Sequence, residues 1–258
     1  MLNRLENICL LERLHGGRCV KMHDLIRDMA IQILEENSQA IVKAGAQLKE
    51  LPDTEEWTEK LTTVSLMHNQ IQEICSSHSV RCPNLSTLLL CNNYRLLLIA
   101  SSFFDQMHGL KVLDLSETCI ECLPDSVSDL VGLTSLLLNN CMRLSHVPSL
   151  KKLKALKRLD LSHVPLEKIP HGMECLSNLK YLRTNGFGEK KFPSGILPKL
   201  SNLQVFIIEE LIIGDSGIGK EITVEGKEVG CLRKLENLEC HFKDYSNYVE
   251  YLKSRISG

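Results

Sequence analysis

The chain has 258 residues, with 30 lysines and arginines against 32 aspartates and glutamates, so its formal net charge is −2. A balance so close to neutral argues against nucleic acid or an anionic membrane surface as the partner. No run of 18 apolar residues is present, which predicts that no helix spans a membrane. The polar first residues are also unlike a secretory signal.

The 11 cysteines are an odd number and are spread over the chain. This usage indicates reduced thiols in the cytosol or nucleus, because disulfide-stapled proteins carry paired cysteines, and we expect a cytoplasmic protein. Cys119 and Cys122 form a lone C-x-x-C pair. A closed zinc site needs four ligands, so a structural role for the pair is favoured and no metal site is expected.

The first residues predict a small helical module. Apolar spacing in residues 2–9 fits one face of a helix, and Gly16 with Gly17 between two short apolar runs predicts a tight hairpin. The apolar stripe over residues 22–34 predicts an amphipathic helix. Helix, hairpin, helix is the order found in the second half of a winged-helix module, which we assign to residues 1–48.

The remaining residues, 49–258, carry a repeat of the form L-x-x-L-x-L-x-x-N/C/T with a period of 23 to 25 residues. This period predicts an α/β fold of about seven or eight leucine-rich repeats stacked into a horseshoe-shaped solenoid. The first leucines of the clear copies are Leu61, Leu85, Leu110, Leu133, Leu156, Leu179 and Leu203.

Each copy predicts one strand with a buried leucine face, then a turn. A residue such as Asn69, Thr118 or Cys141 in this turn can bond the backbone of the neighbouring repeat. A proline then ends regular pairing on the outer arc, as at Pro124. A short helical or irregular segment, as in residues 125–130, returns the chain to the next strand.

An insertion rich in glycine, glutamate and isoleucine interrupts the pattern near residues 209–230, as a looped-out segment or an extra hairpin. Within it, Gly214 to Glu221 nearly matches the phosphate-binding sequence G-x-x-x-x-G-K-[ST]. Glu221 stands where a serine or threonine would ligate Mg²⁺, and a strand pattern follows in place of the required helix. A glycine-rich loop is therefore the favoured interpretation.

The strand positions between the buried leucines should face the concave surface, where a mixture of apolar, aromatic and arginine side chains suits a protein interface. We select Arg158, Asp160, Tyr181 and Arg183 as the candidate protein-binding residues. The alternative is an ordinary solvated strand face. The full set of expected concave positions is Thr87, Leu89, Val112, Asp114, Ser135, Leu137, Arg158, Asp160, Tyr181, Arg183, Val205 and Ile207.

The sequence Val20-Lys-Met-His23-Asp24 resembles the Met-His-Asp motif of plant nucleotide-binding leucine-rich-repeat immune receptors. The stretches 5–12, 235–242 and 248–252 are similar to the coiled-coil subclass of that family. The resemblance implies that His23 contacts the β-phosphate of ADP and that Asp24 helps to fix this geometry. From the residues alone, His23 and Asp24 could equally begin a helix, with Asp24 near its cap.

The resemblance also implies a function in plant innate immunity. In that family the repeats recognise a pathogen effector or a host protein and hold the nucleotide-binding (NB-ARC) switch in its inactive state. The expected partners are proteins, including the receptor's own NB-ARC and coiled-coil domains, with no nucleic acid and no membrane span. Two rivals remain, a generic leucine-rich-repeat scaffold or adaptor and a nucleotide hydrolase using the Gly214 loop.

The family's phosphate-binding loop would lie upstream of the winged helix, so the resemblance implies a C-terminal fragment of a receptor. We therefore expect no enzymatic activity and no cofactor of its own, ADP and ATP belonging to the full-length family. Titration with labelled ADP in Mg²⁺ buffer should show negligible binding. Micromolar affinity would contradict this expectation.

Overall fold

The computed structural model describes residues 11–14, 19–22, 24–37, 39–76, 80–185, 191–209, 211–212, 219–220 and 222–256. Its largest feature is a nine-stranded sheet in which every neighbouring pair is parallel. Parallel strands need a crossover between them, and here the outer part of each repeat supplies it.

The strands are β1 (Leu11–Leu14), β2 (Cys19–Met22), β3 (Ala40–Val42), β4 (Thr63–Ser65), β5 (Glu73–Ile74), β6 (Thr87–Leu89), β7 (Leu98–Ile99), β8 (Val112–Asp114), β9 (Ser135–Leu137), β10 (Arg158–Leu161), β11 (Tyr181–Asn185), β12 (Val205–Glu209), β13 (Leu211–Ile212), β14 (Gly219–Lys220), β15 (Thr223–Val224), β16 (Asn237–Glu239) and β17 (His241–Phe242). The α-helices are α1 (Asp24–Glu36), α2 (Gly226–Gly230) and α3 (Tyr245–Ile256). Short 3₁₀ helices span Thr54–Glu56, Asp125–Asp129, Met173–Cys175 and Leu197–Lys199.

The N-terminal segment forms the expected hairpin and helix. Strands β1 and β2 pair antiparallel on either side of the glycine pair, and α1 follows directly. The helix predicted over residues 2–9 lies outside the described residues, so the winged-helix module stays a prediction. The side chains of Leu25, Met29 and Ile33 on α1 are 56 to 69% exposed, which leaves an apolar stripe on the surface.

The nine-stranded sheet contains β3, β4, β6, β8, β9, β10, β11, β12 and β16 in chain order. Its first strand, Ala40–Val42, pairs with β4 although it has none of the leucine pattern. The repeat sheet therefore begins before residue 49, the boundary that the leucine spacing indicated. Backbone pairing and burial of Ile41 in the core extend the sheet here, without the leucine pattern.

The core lies behind the sheet and consists mainly of the repeat leucines, with aromatic side chains such as Phe103 and Phe206. At the centre of successive strands the leucine is fully buried, as in Leu88, Leu113 and Leu136. Burial of each such side chain contributes about 2 kcal/mol. One repeat alone could not enclose these residues, so stacking of neighbours provides the stability. The predicted leucine-rich repeat solenoid is confirmed.

Buried side chains in the turn after each strand connect neighbouring repeats. Asn93 is fully buried; its amide donates to the carbonyl oxygens of Leu66 at 2.9 Å and Leu90 at 2.8 Å. Its own oxygen accepts from the Ile71 amide at 3.3 Å. Cys141 takes the same place two repeats later and bonds the Leu115 carbonyl. The expected bonding of turn side chains to the backbone of the neighbouring repeat is confirmed, and we call this row of turn residues the side-chain ladder.

The residue just before each ladder position adopts a left-handed conformation, with φ between 54° and 62° at His68, Asn92, Glu117, Asn140 and His163. Asparagine and histidine tolerate this region better than most residues. The backbone amide of Asn92 then reaches the carbonyl of Ser116 in the next repeat. The parallel hydrogen bonding thus continues around the bend beyond the strands.

The insertion contains an antiparallel pair, β13 with β14. The near-match to a phosphate-binding loop falls almost wholly on 213–218 and 221, outside the described residues. Beyond it, α3 packs beside α2, and Arg255 donates to the carbonyl oxygens of Leu232 and Leu235. Along the described chain, no helix is both long and apolar enough to cross a bilayer.

The ladder makes a quantitative prediction. Asn93→Ala should lower the free energy of unfolding by about 3 kcal/mol, because it leaves buried backbone groups without partners. The matched control is Asn84→Ala, which removes one exposed bond to the Glu59 carbonyl and should cost less than about 0.5 kcal/mol. Urea unfolding followed by circular dichroism measures both, and equal losses would contradict the ladder's role.

Candidate protein-binding surface

The solvent-facing side of the nine-stranded sheet is the candidate functional surface, and we call it the sheet face. Side chains alternate along each strand, so that Leu159 and Leu182 are fully buried while Arg158 and Tyr181 reach solvent. Of the expected concave positions, all but Asp160 are exposed or half-buried. The five apolar members are half-buried on this face: Leu89, Val112, Leu137, Val205 and Ile207.

Arg158 and Tyr181 lie side by side in the candidate patch, with Arg158 exposed and Tyr181 half-buried. They are direct partners in the β10–β11 pairing. The Arg158 guanidinium carbon lies 4.1 Å from the centre of the Tyr181 ring. At this distance the guanidinium is attracted to the negative face of the ring. The stacking limits the conformations of Arg158 and leaves its N–H donors available at the edge.

Asp160 departs from the prediction, because it is only 4% exposed. Its Oδ1 accepts hydrogen bonds from the Ser162 hydroxyl at 2.7 Å and the Ser162 amide at 3.2 Å. The side chain therefore holds the turn after β10. Asp114 accepts from the Ser116 amide in the same way, which makes Asp-x-Ser a local structural motif here. Asp160 is thus a supporting residue, not an exposed contact.

Arg183 is held by a carboxylate that the sequence did not indicate. Its Nε donates to Oε1 of Glu209 at 2.9 Å, and its Nη2 forms an ion pair with the same oxygen. The other carboxylate oxygen, Oε2, is enclosed and lies 3.0 Å from Nε2 of His163, without a well-aligned hydrogen bond. Arg183, Glu209 and His163 therefore form one charged cluster at the end of β10–β12.

Burial and nearby charges also shift the pKa values of Tyr181 and Arg183 on the sheet face. Burial raises the pKa of the Tyr181 hydroxyl, with a further contribution from the charge of Asp160. For Arg183, burial acts to lower the pKa, but the Glu209 carboxylate outweighs it and the net shift is upward. Both groups therefore keep their usual charge state, neutral tyrosine and cationic arginine, at physiological pH.

Longer strands explain why Glu209 reaches the cluster. Strands β11 and β12 have five residues each, against three in β6, β8 and β9. The extra rung pairs Asn185 with Glu209. The sequence analysis placed residue 209 at the start of the insertion. The apolar alternation of Val205 and Ile207, continued by two residues, was the signal that could have included it.

Of the two predicted nucleotide-sensing residues, Asp24 lies at the start of α1, as its first residue, and His23 lies outside the described residues. The roles of His23 and Asp24 therefore remain predictions from the family resemblance.

Within the described part of the chain, no group of three or more His, Cys, Asp or Glu side chains is arranged to hold a metal ion. Several thiols there are buried in the repeat core. Burial raises the pKa of Cys240 to about 12, and burial with help from Asp114 raises that of Cys91 to about 12. These two thiols are neutral and therefore poor nucleophiles at physiological pH.

The cluster at Glu209 can be tested by a double-variant cycle. Arg183→Met should lower the free energy of unfolding by about 1 kcal/mol, because it leaves a half-buried carboxylate unpaired. Adding Glu209→Leu should recover most of this loss. The exposed pair Arg143–Glu121 is the control and should show less than about 0.5 kcal/mol of coupling. Simple additivity at Arg183 and Glu209 would contradict the assignment.

Comparison with known proteins agrees with the fold. Residues 83–142 match the family model described as "Leucine rich repeat". Among solved structures, the Arabidopsis receptor kinase HAESA, in complex with the peptide hormone IDA and the co-receptor SERK1, gives a TM-score of 0.60 at 18% identity, covering 81% of this chain and 35% of that one. An internalin from Listeria monocytogenes gives 0.54 at 17% identity, covering 91% and 74%.

Curated relatives come from Arabidopsis thaliana. Disease resistance protein RFL1 is 33% identical over 92% of this chain, RPS5 is 32% identical over 92%, and UNI is 33% identical over 100%. The chain spans only 23%, 27% and 30% of those relatives' own lengths. The chain is therefore a leucine-rich repeat protein whose homologues include Arabidopsis disease resistance proteins.

Proposed function

We propose that this chain acts in plant defence, as the recognition and autoinhibition part of a cytoplasmic immune receptor of the coiled-coil, nucleotide-binding class. The observation that carries the proposal is the similarity to disease resistance proteins, at 31 to 33% identity over 91% or more of this chain in four relatives. The chain acts as a non-enzymatic binding module.

The sheet face supports a protein as the partner. It offers stacked Arg158 and Tyr181 beside half-buried apolar side chains such as Leu137 and Ile207. Aromatic and arginine side chains surrounded by apolar contacts are the composition of binding hot spots. The partner in this proposal is a pathogen effector, a host protein or the receptor's own nucleotide-binding module.

The exposed stripe on α1 supports contact with the nucleotide-binding module in particular. Leu25, Met29 and Ile33 are spaced four residues apart and form one apolar face. Such a stripe is favoured when another domain covers it. In this proposal the residues before β3 complete a winged helix of that module, and His23 with Asp24 faces the ADP phosphate.

Partner binding to the repeats would then change the balance between two receptor states. A ligand shifts such an equilibrium only by its difference in affinity for the two states. Here the repeats bind the ADP-bound module more tightly than the ATP-bound one. An effector that competes for the same surface would favour the ATP state.

The test is a pull-down with the coiled-coil and nucleotide-binding portion of a receptor of this family as bait, with ADP and then with ATP. The bait should capture the chain, prefer the ADP condition and lose that preference with His23→Val. His146→Val, at an exposed position on the outer arc, is the matched control and should behave as the native chain. Capture that is absent, or that ignores the nucleotide, would contradict the switch and leave a plain repeat scaffold.

A further inference from the structure

Three cations lie together at one end of β10 and β11, and we call them the cationic strip: Lys157, Arg158 and Lys180. Lys157 directly precedes Arg158, and the Lys180 amide bonds the Lys157 carbonyl on the neighbouring rung at 2.8 Å. Adjacent rungs of a sheet are about 4.8 Å apart. All three side chains are exposed.

The strip has no internal acid. Among the described residues, no carboxylate pairs with any of its three members. Several cations elsewhere in the described chain do have an acidic partner. The matched pairs include Lys43–Glu56, Arg81–Glu59, Arg143–Glu121, Lys152–Asp129, Arg183–Glu209 and Lys191–Glu225.

Tyr181 gives the strip a defined geometry. The ring holds the Arg158 guanidinium over its face at 4.1 Å, which reduces the conformational entropy that a flexible arginine would lose on binding. A planar guanidinium with free N–H donors matches a carboxylate, which it can bind through two parallel hydrogen bonds. Lys157 and Lys180 directly precede Arg158 and Tyr181 on the two strands and add positive charge at this end.

The rest of the sheet face selects a protein over a polyphosphate. Half-buried Asp114 adds a carboxylate to the same face, and Leu137, Val205 and Ile207 make it partly apolar. A nucleic acid would need a longer basic track to follow its backbone. A polypeptide with acidic side chains between apolar ones would match both the cationic strip and the apolar side chains of the sheet face.

We propose that the cationic strip with Tyr181 is the docking site for an acidic segment of a protein partner, in which a glutamate or aspartate carboxylate pairs with Arg158. This proposal deepens the proposed function, on which it rests, by assigning the chemistry of the partner. It also gives the two arginines of the patch different tasks. Arg158 binds the partner, whereas Arg183 is already neutralised by Glu209.

The test is fluorescence anisotropy with the whole chain and a labelled twelve-residue peptide of alternating glutamate and leucine. A matched peptide carries glutamine in place of glutamate. The glutamate peptide should bind more tightly, and its affinity should fall as salt screens the charges. Arg158→Gln should weaken binding about tenfold, as loss of a charge-assisted contact does. Lys154→Gln removes an exposed lysine on the outer arc and should change nothing.

Two variants of Tyr181 distinguish its role in positioning Arg158 from a general effect on folding. Tyr181→Phe keeps the ring and should retain binding within about twofold, since the cation–π contact survives. Tyr181→Leu removes the aromatic ring that holds the Arg158 guanidinium and should weaken binding nearly as much as Arg158→Gln. Thermal melts of both variants should stay close to that of the native chain. Equal binding by Tyr181→Phe and Tyr181→Leu would overturn the positioning role.

Three other results would overturn the docking proposal. They are equal binding of the glutamine peptide, no effect of Arg158→Gln, and tighter Arg158-dependent binding of a twelve-nucleotide RNA. The last result would assign the strip to phosphate. None of them involves the nucleotide-binding bait, so a failed peptide experiment leaves the pull-down result standing. A failed pull-down likewise leaves peptide binding interpretable.

Discussion

The fold depends on the buried turns that follow the strands, where one side chain can bond the backbone of two repeats at once. Asn93 joins the turn of its own repeat to that of the preceding one. Asn69 does the same one repeat earlier, with its amide bonded to the Lys43 and Leu66 carbonyls. Buried backbone groups must find partners, and these contacts set the spacing at which leucines stack. A regular spacing in turn produces the flat, aligned rungs of the sheet face.

The charged cluster lies beside the repeat in which the ladder position is occupied by an apolar residue. Val164 occupies the ladder position and offers no polar group, so Asn185 from the next repeat bonds both its amide and its carbonyl. Strands β11 and β12 run on for two more residues at this place and bring Glu209 beside Arg183 and His163. The surface with the most distinctive chemistry therefore arises from a local departure from the repeat, not from its consensus.

The leucine period predicted the solenoid, the buried strand faces and the ladder residues, because each follows from spacing alone. The hairpin at Gly16 and Gly17 and the helix over 22–34 were also predicted from local patterns. Burial of Asp160 was not predicted, since it depends on a hydrogen bond to Ser162 and on the neighbouring strand. The start of the sheet at β3 and the partners of Arg183 were missed for the same reason. Pairing between distant residues leaves little trace in one sequence.

The most direct test is oxidative footprinting of the chain, free and bound to the coiled-coil and nucleotide-binding portion of a family receptor. The account predicts that binding lowers the oxidation of Tyr181 and Ile207 on the sheet face. Leu98, which is 58% exposed on β7 away from this face, should be oxidised equally in both states. Protection of Leu98 with Tyr181 unchanged would place the partner elsewhere and contradict the central claim that the sheet face is the binding surface.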